Sequence, residues 1–151
     1  MIGNITTEAA AYAIERRPND LREWRAACFL ENIGERNGRR TVYSLGEVGL
    51  LAVACFLQRW GMKLGASFSI ARAHAERIAA AVSSSAEGEQ SLQIRIDSRL
   101  WAGYAASSPT GAPLIGESLE DAEAILTVNL NRVVGAALLR LRDYPDHATN
   151  D

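Results

Sequence analysis

The sequence predicts an α+β fold, mainly α, in two parts. Apolar residues recur with helical period through most of the first 82 positions, whereas residues 92–96 and 126–130 alternate strictly between apolar and polar. Between these regions lies "SSSAEGEQ", a polar stretch with no apolar period, which reads as a linker. The expected organisation is therefore a helical domain over 1–82, a linker over 83–90, and a small strand-loop-strand-helix module over 91–151.

Thr6 or Thr7 can cap a first helix that contains "AAAYAI", with Glu8 near its positive dipole end. Pro18 then ends that helix and suits the first turn of a second, "LREWRAACFL", with Leu21, Trp24, Ala27 and Cys28 on one face. Two short helices joined tightly make a helix-turn-helix candidate. "RNGRRTVYS" follows, a turn dipeptide Asn37-Gly38 and then strand-favouring residues, which reads as a small hairpin or wing. Ser44 and Glu47 fit a capping box at the start of a third helix that stops at Gly61. Its middle is apolar all round, so it is expected to be buried on more than one side. "GASFSIARAHAERIAAAV" predicts one fourth helix with Phe68, Ala71, Ala75, Ile78, Ala79 and Val82 as its apolar stripe.

In the second part, Leu92, Ile94 and Ile96 share one strand face, and Leu126, Val128 and Leu130 repeat the pattern. "SSPTGAPLIGES" between them is loop chemistry. Val133, Val134, Ala137, Leu138 and Leu141 mark the buried face of a last helix, and "YPDHATND" reads as a frayed tail.

The chain has 151 residues, 48% of them apolar, enough for a real core, and no apolar run approaches the roughly 20 residues of a membrane helix. Without a basic and then apolar N-terminal segment, a cytoplasmic location is expected. Cys28 and Cys55 have no Cys or His at ligand spacing and read as small core residues. The net charge of −2 hides a split: residues 1–82 carry 11 Lys+Arg against 8 Asp+Glu, and residues 83–151 carry 5 against 10. A positive first half is compatible with anion binding.

Helix, turn, helix, Arg-rich wing, capped helix, helix: this order resembles the DNA-binding domain of the MerR family of bacterial regulators. Ile5 takes the family's first-helix position, and Leu21, Arg22 and Trp24 fit its second-helix motif. Phe29-Leu30 fit its Leu-Leu pair, while Gly38-Arg39-Arg40, Tyr43-Ser44 and Glu47-Val48 fit the wing and its exit. The match covers about residues 5–78. Glu23, Cys28 and Asn32 depart from the family's aromatic, Gly and Pro, and neither a long dimerising helix nor a thiol-rich effector site follows.

The resemblance implies an N-terminal winged helix-turn-helix that binds double-stranded DNA. It implies that Arg36, Arg39, Arg40 and Tyr43 of the wing and Arg22 of the second helix hold phosphates. Arg16, Arg17 and Asn19, at the entry to that helix, would reach base edges, because Arg matches guanine and Asn matches adenine. The plainer alternative is a solvated face whose arginines pair with Glu15, Asp20, Glu23 and Glu35.

His74 lacks a second ligand at metal spacing and reads as an exposed or capping histidine, and His147 falls in the tail. Trp60 and Trp101 read as core or interface aromatics. No base stands beside Ser83–Ser85, and no phosphate loop or carboxylate pair is present, so neither catalysis nor a cofactor is expected. The function expected is that of a transcriptional regulator acting as a homodimer, with the C-terminal module dimerising the chain or binding a protein partner. An excisionase-like architectural DNA binder and a protein-protein adaptor or antitoxin-like module are the alternatives.

Overall fold

A computed structural model describes residues 4–83, 91–96 and 124–145. The linker positions 84–90, the loop "SSPTGAPLIGES", Trp101, His147 and the last six residues lie outside the described residues. What is described is mixed α+β and mainly helical, with two small sheets.

Strand β1 (Ile5–Thr6) leads directly into helix α1 (Thr7–Ala13), whose N-cap is Thr6, its hydroxyl accepting from the Ala9 amide at 3.2 Å. α1 closes at Glu15, which takes a left-handed φ of 56° while the Arg16 amide donates back to the Ala11 carbonyl. Helix α2 (Pro18–Ala26) starts on the proline and on Asp20, whose carboxylate accepts from the Arg17 amide at 3.0 Å.

α2 ends earlier than its composition predicts. Cys28 adopts φ 64°, and the Phe29 amide donates to the Trp24 carbonyl, a Schellman closure with a cysteine where glycine is usual. Ala27 and Cys28, expected on the buried face, are consequently exposed; only Cys55 of the two cysteines is a core residue. The hairpin is present: β2 (Glu35–Asn37) pairs with β3 (Arg40–Tyr43), Asn37 opposite Arg40. Its two loop residues are thus Gly38 and Arg39, one position later than the Asn-Gly pair implied, with Gly38 supplying the positive φ of 62°. β1 pairs with the other edge of β3 and completes a three-stranded antiparallel sheet in the order β1-β3-β2.

Helix α3 (Leu45–Arg59) is the axis of the molecule. Nine of its 15 residues are buried, so it must be covered on several sides. Ser44 and Glu47 form the capping box, and Gly61 ends the helix at φ 92°, both as the sequence predicts. The expected single fourth helix is instead two: α4 (Leu64–Ala73) and α5 (Ala75–Ser83), broken at His74. Ala75 and Ala79 are exposed, and Ala81 is buried in their place. Both α4 and α5 pack on α3.

Strands β4 (Ser91–Ile96) and β5 (Ala124–Asn129) pair antiparallel, Leu92 opposite Val128 and Ile94 opposite Leu126. Helix α6 (Leu130–Arg142) follows, N-capped by Asn129, and lies against α1, α3 and α5. None of Val133, Val134, Ala137, Leu138 and Leu141 is exposed, as expected. Gly49 lets α3 approach α5 closely: a Cβ there would meet Val82 Cγ2 at 2.9 Å and Ile78 Cγ2 at 3.1 Å. One hydrophobic core therefore runs from Ile5 through α3 into Leu92, Ile94, Val128 and Val134. Among the described residues no helix is long and apolar enough to cross a membrane.

Candidate nucleic-acid interface

The turn between α2 and the hairpin is built by Arg25, whose role the sequence motif did not reveal. Its guanidinium donates to the Ile33 carbonyl at 2.6 Å and to the Tyr43 hydroxyl at 3.3 Å, and stacks over the Tyr43 ring. Gly34, at φ 78°, leaves the space this needs, since a Cβ there would stand 2.8 Å from Arg25 Nη2. Arg72 of α4 fastens the same segment from the other end by donating to the Phe29 and Glu31 carbonyls. Tyr43 is therefore buried, 2% exposed, with its hydroxyl engaged by Arg25. It holds the hairpin to α2 rather than presenting its ring to a ligand.

These connections set α2 and the hairpin on either side of a groove of about 680 Å³. Arg22 and Arg25 line it from α2, Arg39 and Arg40 from the hairpin, and the start of α1 forms its floor with one acid, Glu8. Leu141 and Tyr144 also line it. Arg22 donates to Glu8 at 2.8 Å, both side chains about half exposed. Arg36, Arg39 and Arg40 are exposed, and their side chains have no hydrogen bond or ion pair to any described residue. Four arginines against one carboxylate give the groove an excess of positive charge, carried by guanidinium forks that stay charged at any working pH.

The three residues expected at base edges are placed differently from one another. Arg17 is the most open, its side chain 82% exposed, with one nitrogen 3.0 Å from Asp20. The hydrogen bonds from its guanidinium and its backbone amide hold the Asp20 carboxyl below the usual carboxylate range. Asn19 is exposed, but its amide nitrogen donates to Glu23 at 2.9 Å. Arg16 turns toward α3, where it donates to Gln58 at 2.8 Å and lies over Trp24. Arg16 and Arg17 still line one cleft with Asp20, but the Arg16 guanidinium is taken up by Gln58 and Trp24 while that of Arg17 stays open to solvent.

The remaining candidates lie elsewhere. His74 is buried rather than exposed and forms the C-cap of α4. Trp60 is 59% exposed, so it is not a core residue. No three His, Cys, Asp or Glu side chains come together as a metal site among the described residues. Comparison with protein-family models, with characterised proteins and with solved structures gives no match.

Proposed function

We propose that this chain binds double-stranded DNA through α2 and the β2–β3 hairpin, in the manner of the MerR-type winged helix it resembles, and acts as a homodimeric transcriptional regulator. The observation that carries the reading is the pair Arg39 and Arg40, unpaired with any described residue at an exposed hairpin and lining one groove with Arg22. Unpaired surface cations contribute little to a fold, whereas the same cations across a groove neutralise successive phosphates. In this reading Arg22, Arg36, Arg39 and Arg40 position the duplex, while Arg17 and Asn19 at the start of α2 probe base edges. A symmetric pair of chains would present two such units to a pseudo-palindromic site.

A second reading draws on α2 itself. Arg17, Asn19 and Arg22 are each held by an acid, Asp20, Glu23 and Glu8, so the exposed face of the helix is close to neutral. A neutral polar face suits a protein partner better than a phosphate chain, as an adaptor would use it.

Fluorescence anisotropy with a labelled duplex at several salt concentrations separates the two. DNA binding that weakens steeply with salt, followed by selection of genomic fragments and sedimentation of the complex, supports the regulator. No salt-sensitive binding with any duplex overturns it and leaves the adaptor. A strong bend in the selected fragment marks the excisionase-like variant of the same interface.

A further inference from the structure

At the C-terminal end of α1, where Ala13 and Ile14 meet α3 and α6, the packing leaves a crevice of about 140 Å³. Small side chains make the hollow: Ala52 of α3 and Ala136 and Ala137 of α6 line it, with Phe56 and Val133 supplying the larger walls. A cavity of roughly 150 Å³ walled by aliphatic and aromatic groups accepts one benzene ring, so this one has room for a single six-membered ring or branched alkyl group.

The rim of the crevice is cationic. Arg59 and Arg140 both line it, and both bind the same oxygen of one carboxylate, Glu15 Oε2, at 2.8 Å and 3.1 Å. Their other bonds go to the neutral carbonyls of Ile14 and Ala13 at the end of α1. Two guanidiniums against one carboxylate leave one positive charge over, with N–H groups of both side chains free of described partners. With side-chain exposures of 46% and 34%, the two remain accessible from solution.

We propose that this crevice binds a small carboxylate with an aryl or branched-alkyl body, the ring in the alanine-lined hollow and the carboxylate on the spare donors of Arg59 and Arg140. The apolar wall rejects a fully hydrated anion, and the rim repels an amine. A neutral ring gains only the hollow. The proposal concerns a different face of the molecule from the arginine groove and does not rest on DNA binding.

The test uses the full chain with benzoate as probe, followed by amide chemical shifts and by the fluorescence of Trp60, whose ring lies 6.2 Å from that of Phe56. A ligand of this size binds with a dissociation constant on the order of 1 mM or tighter. Shifts are expected to cluster at residues 13–15, 52–59 and 133–140. Benzyl alcohol, which lacks the charge, should bind about fivefold or more weakly, on the principle that a charged hydrogen bond outweighs a neutral one. Ala136→Leu, at an exposed position in the wall of the hollow, should abolish binding by filling it. Arg59→Gln and Arg140→Gln should each weaken it several-fold, with Arg140→Lys retaining part. No shift at about 10 mM benzoate, equal affinity for the alcohol, or undiminished binding to Ala136→Leu overturns the proposal. Should Arg140→Gln fail to fold by circular dichroism, Ala136→Leu and the alcohol comparison still decide. A protein that binds benzoate and no duplex supports this site and refutes the regulator; the converse does the opposite.

Discussion

Glu47 accepts the backbone amide of Gly34 at 2.8 Å with one carboxylate oxygen and that of Ser44, also at 2.8 Å, with the other. The capping box of α3 therefore does more than start a helix: it ties the base of the hairpin to the central helix. Glu47→Ala leaves two backbone donors without their acceptor and should cost about 2–3 kcal/mol in urea unfolding. Glu47→Gln keeps one acceptor oxygen and should cost about half as much. If the hairpin is a DNA contact, Glu47→Ala should also weaken duplex binding measured at a temperature where the variant is folded. Equal stability of both variants with wild type would refute the double role.

Salt dependence reads the arginine groove directly. Arg39→Ala and Arg40→Ala should each lower affinity for every duplex and flatten the slope of log K against log salt by about 0.9 per lost phosphate contact. Arg22 differs because Glu8 already holds it. Glu8→Gln releases that guanidinium and removes a negative charge from the groove, so affinity should rise several-fold and the salt slope should steepen. Slopes that stay the same in all three variants would sink the phosphate assignment.

The features legible in the sequence are those set within a few residues. Ser44 and Glu47 carry their own hydrogen-bonding partners at fixed spacing, and Gly61 can take the left-handed C-cap that other residues resist, so the limits of α3 could be read directly. The alternation in β4 and β5 was legible because a strand's faces are fixed by its period of two. What could not be read depends on distant partners. Cys28 and Glu15 end their helices in a conformation their side chains disfavour, held by backbone closure rather than by residue type. His74 interrupts a continuous helical pattern with neither Gly nor Pro to announce it, where one segment changes neighbours: α5 packs on α6 and α4 does not to the same extent. The last helix, α6, packs on both β4 and β5 and is itself packed against α3 and α5, which no local pattern could specify. In the groove, the arginines were legible as charge, but Glu8, the acid that holds Arg22, was assigned only by geometry, whereas Asp20 beside Arg17 was among the acids that spacing offered.

Cys28 offers a stability test of the turn after α2. At φ 64° a side chain with a Cβ is strained by roughly 1–2 kcal/mol, partly offset in glycine by the entropy of the unfolded chain. Because Cys28 is exposed, little packing is lost on its removal. Cys28→Gly should therefore raise stability by about 0.5–1 kcal/mol, whereas Cys28→Ala should leave it nearly unchanged. Glu15→Gly relieves the same backbone strain at φ 56° but removes the carboxylate that joins Arg59 and Arg140, so its gain should be smaller or reversed. Chemical denaturation of the three variants checks this, and a destabilised Cys28→Gly would refute it.

His74 should make the fold sensitive to mild acid. It is 4% exposed at the break between α4 and α5, and its Nε2 is buried without a partner among the described residues. Burial disfavours the imidazolium, and the Arg77 guanidinium adds to the effect, so the pKa falls from 6.5 to about 4. A folded-state pKa below the unfolded one means that the unfolded chain binds the proton first. Stability is then complete above the unfolded value and declines as pH falls from 6.5 toward 4, with no further change from this group below that. Between pH 7 and pH 5 the loss should be about 2 kcal/mol. Asp20, whose carboxyl is held below the usual range, contributes its own loss only in more acidic solution, so the two windows are separable. In His74→Phe the urea midpoint should change little between pH 7 and pH 5, and His74→Gln should behave alike if the larger ring does not fit. Proton NMR of the wild-type imidazole should show it neutral down to about pH 5. A wild-type midpoint that falls no further than that of either variant, or an imidazole that titrates near 6.5 in the folded protein, would show that His74 is not held neutral by the core.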